Sequence, residues 1–361
     1  MTTNATSPRR ILVVGPSWVG DMVMAQSLFM ELKVQHPDAE IDVLAPAWSR
    51  PLLDRMPQVA CAIDLPFAHG ELGLTRRFAL GRQLRSHRYD QAILLPNSFK
   101  SALVPWFAAI PLRTGWRGEM RSWILNDCRI LAPEKLPLMV QRFLALALPK
   151  DAALPGALPE PIPVPQLRAD PEQVLAAMNE FSLVTELDIL ALCPGAEFGD
   201  AKQWPSEHYA AVASSHLDAG GQVWLFGSAK DRAVTEAIIA RLTIPDQGRC
   251  HNLAGRTSLA QAIDLLSVAG AVVSNDSGLM HIAAALHRPV VAVYGSTSPE
   301  FTPPLTDRVE CMSIDIECRP CFKRICPLGH KRCLTELMPA QVIEALRRVS
   351  QPLIASSANR P

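Results

Sequence analysis

The feature that most constrains this 361-residue chain is a rhythm that occurs twice. Short, uninterrupted apolar runs alternate with stretches whose apolar residues recur at helical spacing. Seven prolines between residues 149 and 171 interrupt the pattern once. An unbroken apolar run suits a strand buried on both faces, and such strands separated by helices fold into parallel sheets with right-handed crossovers. Proline lacks the N–H that helix interiors and central strands require, so the interrupting segment reads as an extended linker. The expected fold is therefore α/β with two domains, residues 1–160 and 161–338, followed by a helix and tail over 339–361.

In the first half, strands are expected at residues 11–14, 41–45, 60–65, 91–95 and 112–116, with helices at 22–34 and 74–87. In the second half, strands are expected at 189–193, 222–226, 271–274 and 290–294, and helices at 206–217, 231–242, 258–269 and 279–286. A last helix, 339–349, is expected to pack back on the first domain. Ligands of open parallel sheets bind beyond the carboxyl ends of the strands, so the residues that follow each strand are the ones to inspect.

Lys plus Arg and Asp plus Glu balance at 35 each, but residues 1–150 hold 18 basic against 12 acidic residues, leaving 17 against 23 in the remainder. A basic first half points to an anionic partner, or to ordinary solvated arginines. The first ten residues contain no apolar core of signal-peptide length, and no stretch approaches the roughly 18–20 apolar residues of a membrane span, so a cytoplasmic location is expected.

Three strings carry chemistry. Gly15-Pro16-Ser17-Trp18-Val19-Gly20-Asp21 follows the first strand, where glycines permit a tight turn and close ligand approach. It matches neither the dinucleotide fingerprint nor the P-loop. Asp21 reads either as a cap on the helix beginning at Met22 or as a general base. Pro194-Gly195-Ala196-Glu197-Phe198-Gly199-Asp200-Ala201-Lys202-Gln203-Trp204-Pro205 opens the second domain, and Lys202 is a compact cation suited to a pyrophosphate. Ser274-Asn275-Asp276-Ser277-Gly278-Leu279-Met280-His281 ends a buried strand and begins an apolar helix, whose N-terminus can seat phosphate. Asp276 then holds sugar hydroxyls or caps the helix. His281 reads as a packed histidine rather than a catalyst.

Together these strings resemble glycosyltransferase family 9, the heptosyltransferases, over residues 11–337. The second string and a late cysteine-rich string are similar to the heptosyltransferase II branch, although Asp200 and Gln203 stand where proline and arginine are usual. The resemblance implies a GT-B fold: two Rossmann-like domains with parallel sheets facing each other across a cleft, and no cofactor or catalytic metal. It implies inverting transfer of L-glycero-D-manno-heptose from ADP-heptose to the first heptose of inner-core lipopolysaccharide, Kdo-lipid A bearing heptose. Asp21 would be the base. Lys202, Asp276, Ser277, Gly278, Gly195, Ser228 and Asp231 would bind the donor. Gly20, Asn97, Ser98, Lys100, Arg117 and Arg121 would bind the acceptor. The enzyme would work in the cytoplasm, on the inner-membrane surface, without nucleic acid.

Cys318, Cys321, Cys326 and Cys333 have knuckle-like spacing, which reads as a structural zinc site or as a metal-free cysteine-rich loop; the second reading is adopted here. Heptosyltransferase I, another family member, a sugar-nucleotide epimerase of the same fold and a non-catalytic binding protein remain open on the residues alone.

Overall fold

The computed structural model describes residues 9–67, 70–150 and 155–351. The chain's first eight residues, part of the linker (151–154) and the tail 352–361 lie outside the described residues. The chain divides into two compact units. One comprises the chain through Arg168 together with Glu300–Thr302, and the other comprises the rest.

The first unit is built on six strands: β1 (Arg10–Val14), β2 (Glu40–Ala45), β3 (Cys61–Asp64), β4 (Gln91–Leu94), β5 (Leu112–Trp116) and β6 (Asp127–Arg129). They lie in the order β3-β2-β1-β4-β5-β6, and every pairing is parallel. The second unit repeats this plan with β7 (Ile189–Cys193), β8 (Gln222–Leu225), β9 (Cys250–Asn252), β10 (Ala271–Asn275), β11 (Val290–Val293) and β12 (Val309–Met312). Their order is β12-β11-β10-β7-β8-β9, again all parallel. The central strands are apolar because both of their faces are covered: Ile11, Leu12 and Val13 in β1, and Leu190, Ala191 and Leu192 in β7, are fully buried.

In each sheet the crossovers run one way from the first strand and then reverse. The reversal lies between β1 and β4 in the first sheet and between β7 and β10 in the second. Loops leaving neighbouring strands there diverge to opposite faces and open a crevice, the usual seat of a ligand in this topology.

Three strands, β6, β9 and β12, were not expected. All are short and mixed in polarity (Asp-Cys-Arg, Cys-His-Asn, Val-Glu-Cys-Met), and their pairing partners, not their own composition, make them strands. The helix Phe99–Phe107 was hidden by Pro105 inside it. Pro171, read as the end of the linker, instead begins the helix Pro171–Phe181, where Asp170 caps by accepting from Glu172 N at 3.0 Å.

The linker is fastened to the first unit. Gln26 and Ser27, fully buried on the helix Val19–Gln35, face it. Gln26 Nε2 donates to Gln166 O and its Oε1 accepts from Gln166 N, both at 2.8 Å, while Ser27 Oγ donates to Pro163 O at 2.6 Å. Extended proline-rich backbone has no internal partners for these groups, and the helix side chains supply them. The unit consequently ends at Arg168, later than the expected break at 160. The last helix, Pro339–Ser350, belongs to the second unit. It packs Val342, Ala345 and Val349 against the helix Ser206–Asp218 and strands β10 to β12. Among the described residues, no helix is long and apolar enough to cross a membrane.

Replacing Gln26 by leucine keeps the volume but removes the partner of the N–H and C=O of residue 166. Denaturant unfolding should show the first unit weakened by about 1–3 kcal/mol. An unchanged unfolding curve would mean that the Gln26 bonds contribute nothing to holding the linker.

Candidate functional site

In the first unit, β1 gives way to Gly15, whose N donates to Leu44 O at 2.9 Å. A Cβ there would stand 2.7 Å from Met22 Cε and 3.2 Å from Ala45 Cβ, so the turn lies close against its own helix and the neighbouring strand. That helix begins at Val19, earlier than expected, with Trp18 in the N-cap position. Asp21 is therefore in the first turn and not at the N-cap position that the capping alternative gave it. A carboxylate in that turn is favoured by the helix dipole, and Gly20 and Asp21 are both half-buried.

The loop after β4 leaves on the other side of the same reversal. Asn97 is exposed, and Ser98 and Lys100 are half-buried. Arg117, exposed on the loop after β5, is anchored by its own N donating to Arg129 O at 2.6 Å. A Cβ on Gly118 would come within 2.6 Å of Asn97 O, so this loop rests on the one before it.

Arg121 overturns its expected role as an acceptor contact. It is completely buried. Nη2 donates to Trp116 O at 2.7 Å and Asn97 Oδ1 at 3.0 Å, and Nη1 donates to Ser101 Oγ at 3.0 Å and to Pro96 O. Burial draws its pKa down to about 10, which leaves it charged at neutral pH. Its charge is thus spent on carbonyl and amide dipoles that shape the loop carrying Asn97 and Ser98, and none of it reaches the surface.

In the second unit, Lys202, Asp276 and Thr297 form one polar knot at the reversal between β7 and β10. Asp276 Oδ2 accepts from Lys202 Nζ and from Thr297 Oγ1, each at 2.6 Å. The lysine and aspartate side chains are only 13% and 4% exposed, so the ion pair is largely shielded from water and each charge depends on the other. Asp276 N donates to Val293 O, which extends the β10–β11 ladder by one residue. The ring of Phe198 lies 4.9 Å from Lys202 Nζ. Directly after Asp276 the helix Gly278–Ala285 starts, with Ser277 at its N-cap, and Ser277, Gly278 and Leu279 are half-buried at its mouth. A first helical turn has N–H groups without intrahelical acceptors, so a cation and an N–H cluster converge on one spot.

Asn275 holds the two loops together. Fully buried, its Oδ1 accepts from Trp204 N at 3.1 Å and Tyr209 Oη at 3.0 Å, and its Nδ2 donates to Pro194 O at 2.7 Å. Gly195, Ser228 and Asp231 also come together. Ser228 N and Oγ each donate to Asp231 Oδ2 at 2.8 Å, and a Cβ on Gly195 would stand 2.6 Å from Asp231 Cγ. The sequence reading passed over Asn275 and Thr297. The signal for Thr297 was present, since Gly295-Ser296-Thr297-Ser298 is a small polar string directly after the apolar strand β11.

The cysteine-rich segment closes over the Lys202 turn. Ala201 N donates to Arg324 O and Ser296 N to Ala201 O, both at 3.1 Å, and Lys331 pairs with Asp200 at 2.7 Å. Cys318, Cys321, Cys326 and Cys333 border one small hollow beside His330. Among the described residues, no three His, Cys, Asp or Glu side chains are grouped so as to hold a metal ion.

His281 is packed, as expected: it is buried, and burial lowers its pKa to about 4 from 6.5. The unfolded chain therefore takes up a proton that the folded chain refuses. This stabilisation is complete above pH 6.5 and is lost as pH falls toward 4. His281→Gln should flatten the pH dependence of thermal stability in that window, with little effect above pH 7. An unaltered slope would mean that other groups govern it.

The model of Glycosyltransferase family 9 (heptosyltransferase) matches residues 77–332. The chain is 51% identical over 338 residues to lipopolysaccharide heptosyltransferase 2 of Escherichia coli K12, covering 93% of this chain and 97% of that protein. It is 47% identical over 346 residues to lipooligosaccharide heptosyltransferase 2 of Haemophilus influenzae, covering 94% and 99%. Its structure is similar to that of E. coli ADP-heptose lps heptosyltransferase II, with a TM-score of 0.86 at 48% identity, covering 94% and 98% of the two chains. The two six-stranded parallel sheets are those of the GT-B heptosyltransferases. The chain belongs to glycosyltransferase family 9.

Proposed function

We propose that this enzyme transfers L-glycero-D-manno-heptose from ADP-heptose to the first heptose of the lipopolysaccharide inner core, with inversion, at the cytoplasmic face of the inner membrane. The observation that carries the reading is the shielded Lys202–Asp276 pair, braced by Thr297 and set at a helix mouth. It is the kind of site that a sugar diphosphate suits: a cation and N–H groups for phosphate beside a carboxylate for hydroxyls. The names of the relatives that are about half identical support the choice of sugar and acceptor.

Donor binding is an exchange of partners. Lys202 is paired with Asp276 at 2.6 Å. An incoming pyrophosphate takes the ammonium, and the Asp276 carboxylate, still held by Thr297, accepts from hydroxyls of the sugar. Desolvation of the pair is thereby repaid by new charge-assisted hydrogen bonds and not by water. The first unit supplies Asp21, while Gly20, Asn97, Ser98, Lys100 and Arg117 hold the anionic acceptor.

Chemistry then follows charge. The acceptor hydroxyl oxygen forms a bond to the anomeric carbon as the bond from that carbon to the phosphate oxygen breaks. The hydroxyl proton goes to Asp21, and the electron pair of the broken bond leaves with ADP. Lys202 and the N–H groups at Ser277 and Gly278 act where that negative charge grows, which is where preorganised donors lower the barrier most. General-base assistance of this kind contributes roughly 10²- to 10⁴-fold.

The test is ADP release from ADP-heptose by purified protein, with product analysis. Acceptor bearing one heptose should be required, and Asp21→Asn should lower kcat by about 10²- to 10⁴-fold while ADP binding persists. Wild-type turnover in Asp21→Asn would remove the base assignment. Activity only on heptose-free Kdo-lipid A would move the acceptor assignment to the preceding step. Lys202→Met should instead reduce ADP affinity and kcat/KM together, by about 10²-fold or more, in protein whose melting transition remains cooperative. Unimpaired ADP binding would dissociate the lysine from the pyrophosphate.

A further inference from the structure

The first unit carries a row of aromatic rings that starts at its core, where Phe99 and Phe107 are partly buried, and runs out to exposed Trp106, Trp123 and Phe78. Phe99 and Trp106 stand seven residues apart on one face of the helix Phe99–Phe107, and Trp123 bridges them, with ring centres 6.2 Å from Phe99 and 5.5 Å from Trp106. Phe107 continues the row, 5.0 Å from Trp106, and Phe78 ends it, 5.2 Å from Phe107 in edge-on contact. The helices Leu74–Leu84 and Phe99–Phe107 approach closely because Gly81 leaves no side chain between them; a Cβ there would stand 2.5 Å from Phe107 Cβ. Exposure along the row is high: 64% at Trp123, 45% at Phe78, 40% at Trp106, and 82% at the neighbouring Met120. Buried Trp116, Trp204 and Trp224 each donate the indole N–H within the protein. Among the described residues, Trp106 and Trp123 make no such bond.

The charge around the row is mainly positive, although Arg76 is paired with Glu71 and Arg77 is buried. Residues 74–88 hold five arginines and no carboxylate, and the helix Phe99–Phe107 adds Lys100 and no carboxylate. Arg82 lies 5.9 Å from the Phe78 ring and Arg85 Nε donates to Phe107 O at 2.9 Å, so the cations are interleaved with the aromatics. Glu119, the carboxylate on the adjoining loop, is engaged by Phe99 N.

We propose that this ring row is the surface by which the enzyme docks on a membrane of anionic lipid. Tryptophan prefers the headgroup level, where its face meets acyl chain and its N–H meets water or phosphate, and the surrounding arginines complement phosphate charge. The row adjoins Lys100 and the loop of Asn97 and Ser98, so docking would bring the acceptor residues to the surface in which a lipid-anchored glycan sits. The inference deepens the acceptor reading above and rests on it for its purpose, but its test does not.

The full chain should co-sediment with vesicles of phosphatidylglycerol and phosphatidylethanolamine, more weakly with phosphatidylcholine alone, and less at high salt. Trp106→Ser/Trp123→Ser should lower partition onto the anionic vesicles by about tenfold or more, while keeping the wild-type melting transition and wild-type transfer to a deacylated, water-soluble acceptor. The same partition for the double variant as for wild type, or none by wild type, would overturn the proposal. So would a lipid-free dimer that the double variant abolishes, because the occupant would then be a second copy of this chain. Vesicle binding without transfer would spare the docking surface and defeat the functional reading, and transfer without vesicle binding would do the reverse.

Discussion

The side chain of Asn275 sits where the crossovers of the second sheet change direction, with no exposed surface, and it uses both ends of its amide. A primary amide carries two donors and two acceptor positions, and here the oxygen receives Trp204 N and Tyr209 Oη while the nitrogen reaches Pro194 O and, at 3.3 Å, Gly195 O. No charge is buried in doing so. The loop after β7 is thereby pinned at both its beginning and its end to the strand that supplies Asp276. Lys202, lying between those pins, meets Asp276 because the backbone on either side has little freedom left. A carboxylate at 275 would lose the donor, and an aliphatic side chain would leave four buried polar atoms without it.

The first unit meets the same mechanical demand with a cation. Arg121 gathers Pro96, Asn97, Ser101 and Trp116 around its guanidinium, and its rigid fork sets the spacing between loops that leave β4 and β5. In both units the residues offered to a ligand are few and stand on loops. The residues that make those loops reproducible are buried, multiply bonded and remote from solvent. Placing such a brace at the reversal of strand order matters because diverging crossovers give the loops no neighbours of their own there.

Much of this was legible in the sequence, and the failures share one cause. The apolar strands announced themselves because burial on both faces demands unbroken hydrophobicity, as in residues 11–14 and 290–293. Lys202 and Asp276 were visible as polar residues directly beyond such strands. Asn275 was not, since an asparagine beside a helix start reads as a turn former until its long-range partners are known. Arg121 was misjudged for the same reason. Its neighbourhood is basic and lies near strand ends, which suggests a surface, whereas four oxygen acceptors drawn from residues 96 to 116 offset the cost of burial. The edge strands β6, β9 and β12 have no composition of their own to betray them. What a residue does locally is written in its neighbours along the chain, and what it does across loops is not.

The clasp between the cysteine-rich segment and the Lys202 turn bears on the order in which the protein is made. Ala201 N finds its acceptor at Arg324 O, Gly199 has no room for a side chain against that same residue, and Asp200 pairs with Lys331. During synthesis the strand and helix on either side of the turn emerge early and can pair as they appear. The turn itself acquires its last backbone partner only when residue 324, well over a hundred positions downstream of 201, has left the ribosome. Until then the Lys202 turn lacks the acceptor of Ala201 N, and the partner of Asp200 lies further on still, at Lys331.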